Sequence, residues 1–299
     1  MGIEPGWGFA VNSFYRDAPE ETRDMIRLPA VAEEAGWDSV WIGDHLLWHA
    51  PMVDGLTQMV TFAASTSRIQ IGSAILLLGL RHPTVAARIL TSLNVLSEDR
   101  LILGVGVGGE NPAEFDFSGV PYERRGKVLD ESLEFLISQW EERKGEEPRI
   151  EPAGDPFPIL IGGRSDAARR RIKRFGAGWL AAFVSPDRIR AEQERLNEET
   201  GTEVPIVYHA YMRSDKDGAR AHAEAADFLG NTVYAMPAKR LMDYSIAGTP
   251  EECAERITTY VEAGVRQVIV RAAGWDQREQ LEQWSEEIMP LLPALKVGG

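Results

Sequence analysis

Residues 157–184 read FPILIGGRSDAARRRIKRFGAGWLAAFV. Two apolar runs, FPILIGG and GWLAAFV, flank an amphipathic segment from Ser165 to Phe175, with Ser165 placed to cap a helix start and Gly176 to end it. This is a complete strand–helix–strand unit. Its strands are apolar throughout, which suits parallel strands buried on both faces. Working outward, WGFAVNS, SVWIGDH, IQIGSAILLL and LILGVGVG precede it, and VPIVYHAYM and RQVIVRAA follow, giving eight strand-like runs. Amphipathic segments fall between them at Glu20–Ala35, Thr84–Ser97, Arg124–Trp140, Pro186–Glu199 and Thr249–Ala263. Thr249 stands as an N-cap, Pro186 and Pro250 at first helical positions, and Gly36 and Gly264 at far ends.

Eight such units favour a closed (β/α)8 TIM barrel over an open sheet. With no linker or low-complexity tract, the reading is a single barrel domain over residues 1–299. Two stretches break the rhythm, GGENPAEFDFSGVPYERRG (108–126) and NTVYAMPAKRLMDYSIAG (231–248), and both are expected as short excursions at the C-terminal mouth, where loops carry function.

Composition narrows the function classes. Hydrophobic residues make up 44% and charged residues 26% of the 299, and no apolar run reaches the roughly 18 residues of a membrane span. A formal net charge of -14 argues against a nucleic acid partner. The N-terminal MGIEPGWGFAVNSFYRD lacks the pattern of a secretory signal, and the lone Cys253 cannot form an internal disulfide, so the expected location is the cytoplasm.

Three stretches carry candidate chemistry. In SVWIGDHLLWH (39–49), an apolar strand ends on Asp44 and His45, where a barrel places its active site; the competing reading is that both merely cap the next turn. His45 and His49 have the spacing of a helical zinc pair, but the H-E-x-x-H glutamate is missing, Pro51 follows, and His82, His209 and His222 form no cluster; no metal is expected. In LGVGVGGE (103–110), Gly104, Gly106 and Gly109 formally match a dinucleotide fingerprint, yet Asn111 and Pro112 follow where a helix should open. The alternation instead reads as a strand leaving room for a flat ligand, with Glu110 at its exit or simply solvated. In the 157–184 unit, Gly162, Gly163 and the helix start offer free N–H groups and a positive dipole end to a phosphate, with Arg164 as a forked donor. Arg169, Arg170 and Arg171 cannot all face one site.

Together these segments resemble the luciferase-like flavin and deazaflavin oxidoreductase superfamily. The likeness runs in order through AEEAGWDSVWIGDH, IQIGSAIL, RHPTVAARILTSLNVLSEDRLILGVGVGG, YERRGKVLDESLEFL, the phosphate-loop unit and GTPEECAERITTYVEAGVRQVIV. The resemblance implies a barrel, usually dimeric, with a flavin-type ring across the strand ends. It implies that His45 lies near the reactive centre, that Asp44 beside it belongs to the cofactor-binding residues, and that Trp48 lines the substrate pocket. It further implies a non-prolyl cis peptide at Ala74–Ile75 behind the ring, Gly106 and Gly108 along it, and Gly162, Gly163 and Arg164 at the phosphate. Glu110 resembles a catalytic acid of sugar-phosphate-oxidising members, with an extra Gly109 before it. Two departures stand out: SEDR (97–100) replaces the usual SGGR, and the 141–156 segment is shorter than the family hairpin.

The implied activity is hydride transfer between coenzyme F420 and a small organic substrate in a homodimer, with His45 supplying the proton or stabilising charge. DH, the Ala74 site and the Gly-Gly-Arg loop favour F420 over flavin mononucleotide (FMN). Alternatives are an FMN-dependent monooxygenase, a non-catalytic flavin-binding barrel, a zinc hydrolase and a Rossmann dehydrogenase.

Overall fold

The computed structural model describes residues 3–16, 19–140, 150, 151, 155–234, 239–293 and 295. Nine parallel strands form one sheet: β1 (Gly6–Ala10), β2 (Ser39–Ile42), β3 (Gln70–Ser73), β4 (Leu101–Val105), β5 (Ile159–Gly162), β6 (Gly178–Ala182), β7 (Ile206–Ser214), β8 (Ile246–Gly248) and β9 (Gln267–Ala272). The first seven pair in sequence order, and β9 closes the ring between β7 and β1. The (β/α)8 TIM barrel is therefore present. The ninth strand, β8, pairs only with the far end of β7, through Met212–Ser214, and stands outside the ring. A closed parallel sheet also removes the Rossmann alternative, which needs an open one.

Alternation along each strand builds two apolar layers. Ala10, Trp41, Ile102, Leu160, Leu180, Val207 and Ile269 point inward and fill the barrel. Seven strands thus supply one residue each, and β3 supplies Gly72, where an added Cβ would lie 2.2 Å from the Trp41 ring. Trp41 fills that vacancy while its indole N–H donates to Ser39 Oγ at 2.8 Å. The intervening residues, among them Phe9, Val40, Ile42, Ile71, Leu103 and Ile161, face the helices.

The caps behave as their chemistry requires. Ser165 accepts from Ala168 N–H at the start of helix Asp166–Phe175, and Gly176 closes it at φ 59°. Thr249 and Glu252 form a reciprocal capping box at helix Pro250–Glu262. Most strands are shorter than their apolar runs, and two of them matter for the site. IQIGSAILLL is strand only to Ser73, and the Ala74–Ile75 peptide that follows is cis; LILGVGVG is strand only to Val105, leaving Gly106 and Gly108 in the mouth. Most of the 141–156 segment, and residues 235–238 of the second excursion, lie outside the described residues.

Candidate active site

A cavity of about 300 Å³ opens at the C-terminal ends of the strands. Every site residue singled out in the sequence lines it, in four groups: Asp44, His45 and Trp48 after β2; Ala74 and Ile75 after β3; Gly106, Gly108 and Glu110 after β4; Gly162, Gly163 and Arg164 at the exit of β5.

The loop after β2 is not helical, so the His45/His49 spacing makes no helical ligand pair. His45 instead stacks on Trp48 at a centroid distance of 4.0 Å, and His49 lies tilted against the same indole at 4.8 Å. His45 Nδ1 lies 3.2 Å from both carboxylate oxygens of Glu114, a residue with no solvent exposure. Glu114 Oε1 also accepts the N–H groups of Leu46 at 2.6 Å and Leu47 at 3.1 Å. A carboxylate only accepts, so Nδ1 carries the proton in this contact and Nε2 is the ring nitrogen left for the cavity. Glu114 sits in the first excursion, on the short helix Ala113–Ser118, which explains why that stretch interrupts the rhythm.

Asp44 is 3% exposed and fully engaged. Arg81 grips it bidentately at 2.6 and 2.8 Å, and the N–H groups of Leu77 and Gly55 donate at 2.9 and 3.3 Å. Burial by itself would lower the Arg81 pKa, but the bonds to Asp44 and then Asp54 outweigh it and raise the value above the ordinary range. The carboxylate of Asp44 thus fixes the loop that carries His45 to the segment after the cis peptide.

Ile75 is the hub of the far wall. A Cβ on Gly106 would lie 2.2 Å from Ile75 Cδ1, and one on Gly162 3.1 Å from Ile75 Cγ2. The room beside Gly104 is taken by the Ser73 carbonyl, 2.0 Å from such a Cβ. Gly104, Gly106 and Gly162 therefore admit Ile75 and the β3 backbone, which take up room that the Gly alternation is expected to leave for a flat ligand. Beyond β5, Gly163 has φ 120°, and Arg164 Nη1 donates to the Phe183 carbonyl at 2.9 Å.

The opposite side is polar. His209 and Tyr211 of β7, Arg271 of β9 and Tyr234 line it. Arg271 is 4% exposed, and its Nε and Nη2 have no hydrogen-bond partner; neither has His209 Nε2. Burial, and then the Arg271 charge, hold the His209 pKa well below its ordinary value. Burial, then Tyr211, raises that of Tyr234, so its phenol stays neutral.

The family model of the luciferase-like monooxygenases matches residues 8–267. The chain belongs to that family. Among its curated relatives, an F420-dependent glucose-6-phosphate dehydrogenase of Amycolatopsis mediterranei is 28% identical, covering 91% of this chain and 95% of the relative. A Mycobacterium tuberculosis protein, Rv0940c, is 31% identical over 65% of this chain and 78% of its own length. Among solved structures, an F420-dependent secondary alcohol dehydrogenase matches at TM-score 0.79 and 18% identity, covering 98% of this chain and all of that one. The FMN-bound oxygenating constituent of 3,6-diketocamphane monooxygenase from Pseudomonas putida matches at 0.76 and 18%, again over 98% of this chain and all of its own. These two likenesses are of fold.

In this luciferase-like barrel, sequence reasoning missed Glu114, Arg81, His209 and Arg271. The last two had a usable signal, because inward positions alternate: His209 follows Val207 by two residues and Arg271 follows Ile269 by two. Glu114 and Arg81 had none, since each meets its partner only through folding.

Proposed function

We propose that the protein is an oxidoreductase that exchanges a hydride between coenzyme F420 and a small organic substrate, with His45 as the proton-handling residue and Glu114 as its positioning residue. The observation that carries this reading is the His45–Glu114 contact, 3.2 Å long, with His45 on the same cavity as the Ala74–Ile75 wall. The dehydrogenase relatives named for F420, alike over nearly their whole length, support the cofactor.

The residues present suit a flat ring with a phosphate tail. Ala74, Ile75, Gly106 and Gly108 offer a wall without polar side chains, and Gly162, Gly163 and the helix starting at Asp166 offer backbone donors where a phosphate would lie. Arg164 adds a cation beside them. When bound, a deazaflavin supplies a ring carbon that takes or gives a hydride. His45 Nε2 then accepts the hydroxyl proton of an alcohol being oxidised, or returns it to a carbonyl oxygen in reverse; Glu114 holds the tautomer and stabilises the imidazolium. Trp48 orients the imidazole by stacking and lines the substrate side, and Glu110, also on the cavity, is a second proton-handling candidate. Asp44, bound to Arg81, acts by holding the loop.

Titration of the purified chain with F420 and separately with FMN, followed by tryptophan fluorescence and cofactor absorbance, tests the reading. Tight binding of F420 supports it; preference for FMN redirects the chemistry to oxygen-dependent monooxygenation, and binding of neither overturns it. A homodimer and a cytoplasmic location complete the proposal, the first checked by sedimentation.

A further inference from the structure

The barrel ring runs β1-β2-β3-β4-β5-β6-β7-β9, so β7 and β9 stand four strands from β3 and β4 respectively. They lie across the mouth from the wall made by Ile75 and Gly106. On that side Arg271 reaches past β1 to the exit of β2: a Cβ on Gly43, two residues before His45, would lie 2.9 Å from Arg271 Nη1. The guanidinium is nine-tenths buried, makes no ion pair among the described residues, and has two nitrogens without acceptors; the ring of Tyr211, 6.0 Å from its carbon, faces the charge without accepting a hydrogen bond. His209 adds a third unpartnered nitrogen, near enough for Arg271 to lower its pKa.

No carboxylate on the cavity answers this charge. Asp44 is consumed by Arg81, and Glu110 forms no ion pair among the described residues. A buried charge without an ion-pair partner is costly, and a guanidinium on a cavity wall is a matched fork for a planar anion. We propose that Arg271, with His209, is an anion-recognition subsite, and that the substrate of this enzyme carries an acidic oxygen group, a carboxylate or a phosphate, held there while the reacting carbon lies beside His45. The subsite rests on the proposed function only for the chemistry of that carbon. The anion recognition stands on the orphaned donors.

Calorimetric titration of the purified chain tests this with three matched pairs, each an anion and its neutral counterpart: pyruvate and acetone, glucose 6-phosphate and glucose, lactate and 2-propanol. At least one anion is expected to bind about tenfold or more tighter than its counterpart, and Arg271→Met to lose that preference while Arg271→Lys keeps part of it. The thermal midpoint of Arg271→Met is expected to equal or exceed that of the parent, because an unpaired buried charge has been removed. Absence of saturable binding by all three anions overturns the subsite, as does an anion preference that survives Arg271→Met. So does a midpoint several degrees lower, which would reveal a structural partner for Arg271. F420 affinity is measured in parallel. If it falls tenfold in Arg271→Met, the guanidinium serves the cofactor and the subsite fails; if F420 never binds but the anion preference holds, the proposed function fails and the subsite stands.

Discussion

Glu114, without solvent exposure, lies 3.2 Å from the Nδ1 of His45, a residue 69 positions earlier in the chain. One carboxylate thereby fixes the ring and, through Leu46 and Leu47, the backbone after it. Glu114→Gln keeps the size and loses the charge. Turnover is expected to fall about 10- to 100-fold, the range for losing an orienting partner, with cofactor affinity nearly unchanged. Equal loss in turnover and in cofactor affinity would show that Glu114 maintains the pocket as a whole.

His45→Ala is expected to lower turnover by about 10²-fold or more while folding and cofactor binding persist, as for loss of a positioned acid or base. Steady-state kinetics beside a thermal melt checks this. Full activity in the variant would remove His45 from the chemistry.

Arg81→Met leaves the Asp44 carboxylate buried with only backbone donors. Breaking such a pair from one side costs about 3 kcal/mol or more, read from urea unfolding. The double variant Arg81→Met, Asp44→Leu is expected to recover much of the loss, since no uncompensated charge remains. A single variant as stable as the parent would mean that water already pays the desolvation of Asp44.

Gly106→Ala pushes a methyl to 2.2 Å from Ile75 Cδ1. Overpacking of this kind costs about 1–3 kcal/mol. Ile75→Val deletes the colliding atom, so the double variant is expected to be more stable than Gly106→Ala alone. Gly104→Ala meets the Ser73 carbonyl at 2.0 Å and has no such rescue. Equal behaviour of the two alanine variants would refute this account of the wall.

His209 titrates below its ordinary value of about 6.5 because burial, then Arg271, disfavours its charged form. Below pH 6.5 the unfolded chain therefore binds a proton that the folded chain refuses. Stability falls as pH drops through that window, with a slope of up to about 1.4 kcal/mol per pH unit from this one group. His209→Gln is expected to flatten the pH 6.5 to 5 limb of the thermal midpoint curve. An unchanged limb would place the His209 titration elsewhere.

Much of the fold is legible locally. The 157–184 unit carries its strands, its Ser165 cap and its Gly176 stop in consecutive residues, because capping and amphipathicity act within a few positions. The strand ends of β3 and β4 are harder, since the Val, Ile and Leu run continues after the chain has turned at Ala74. Of the site, residues at strand exits are legible from topology, as with His45 and Gly162.

The βα alternation, the eight ring strands and the mouth at which His45, Glu110 and Arg164 gather are written in the order of the residues, because they follow from side-chain periodicity and local backbone chemistry. Folding alone brings Glu114 to His45, Arg81 to Asp44 and Ile75 into the gap at Gly106, and leaves Arg271 without an ion-pair partner among the described residues. The physical reason is that charge pairing and steric fit depend on distance in space. Glu114 and Arg81 reach their partners across 69 and 37 residues, and no local pattern encodes those meetings.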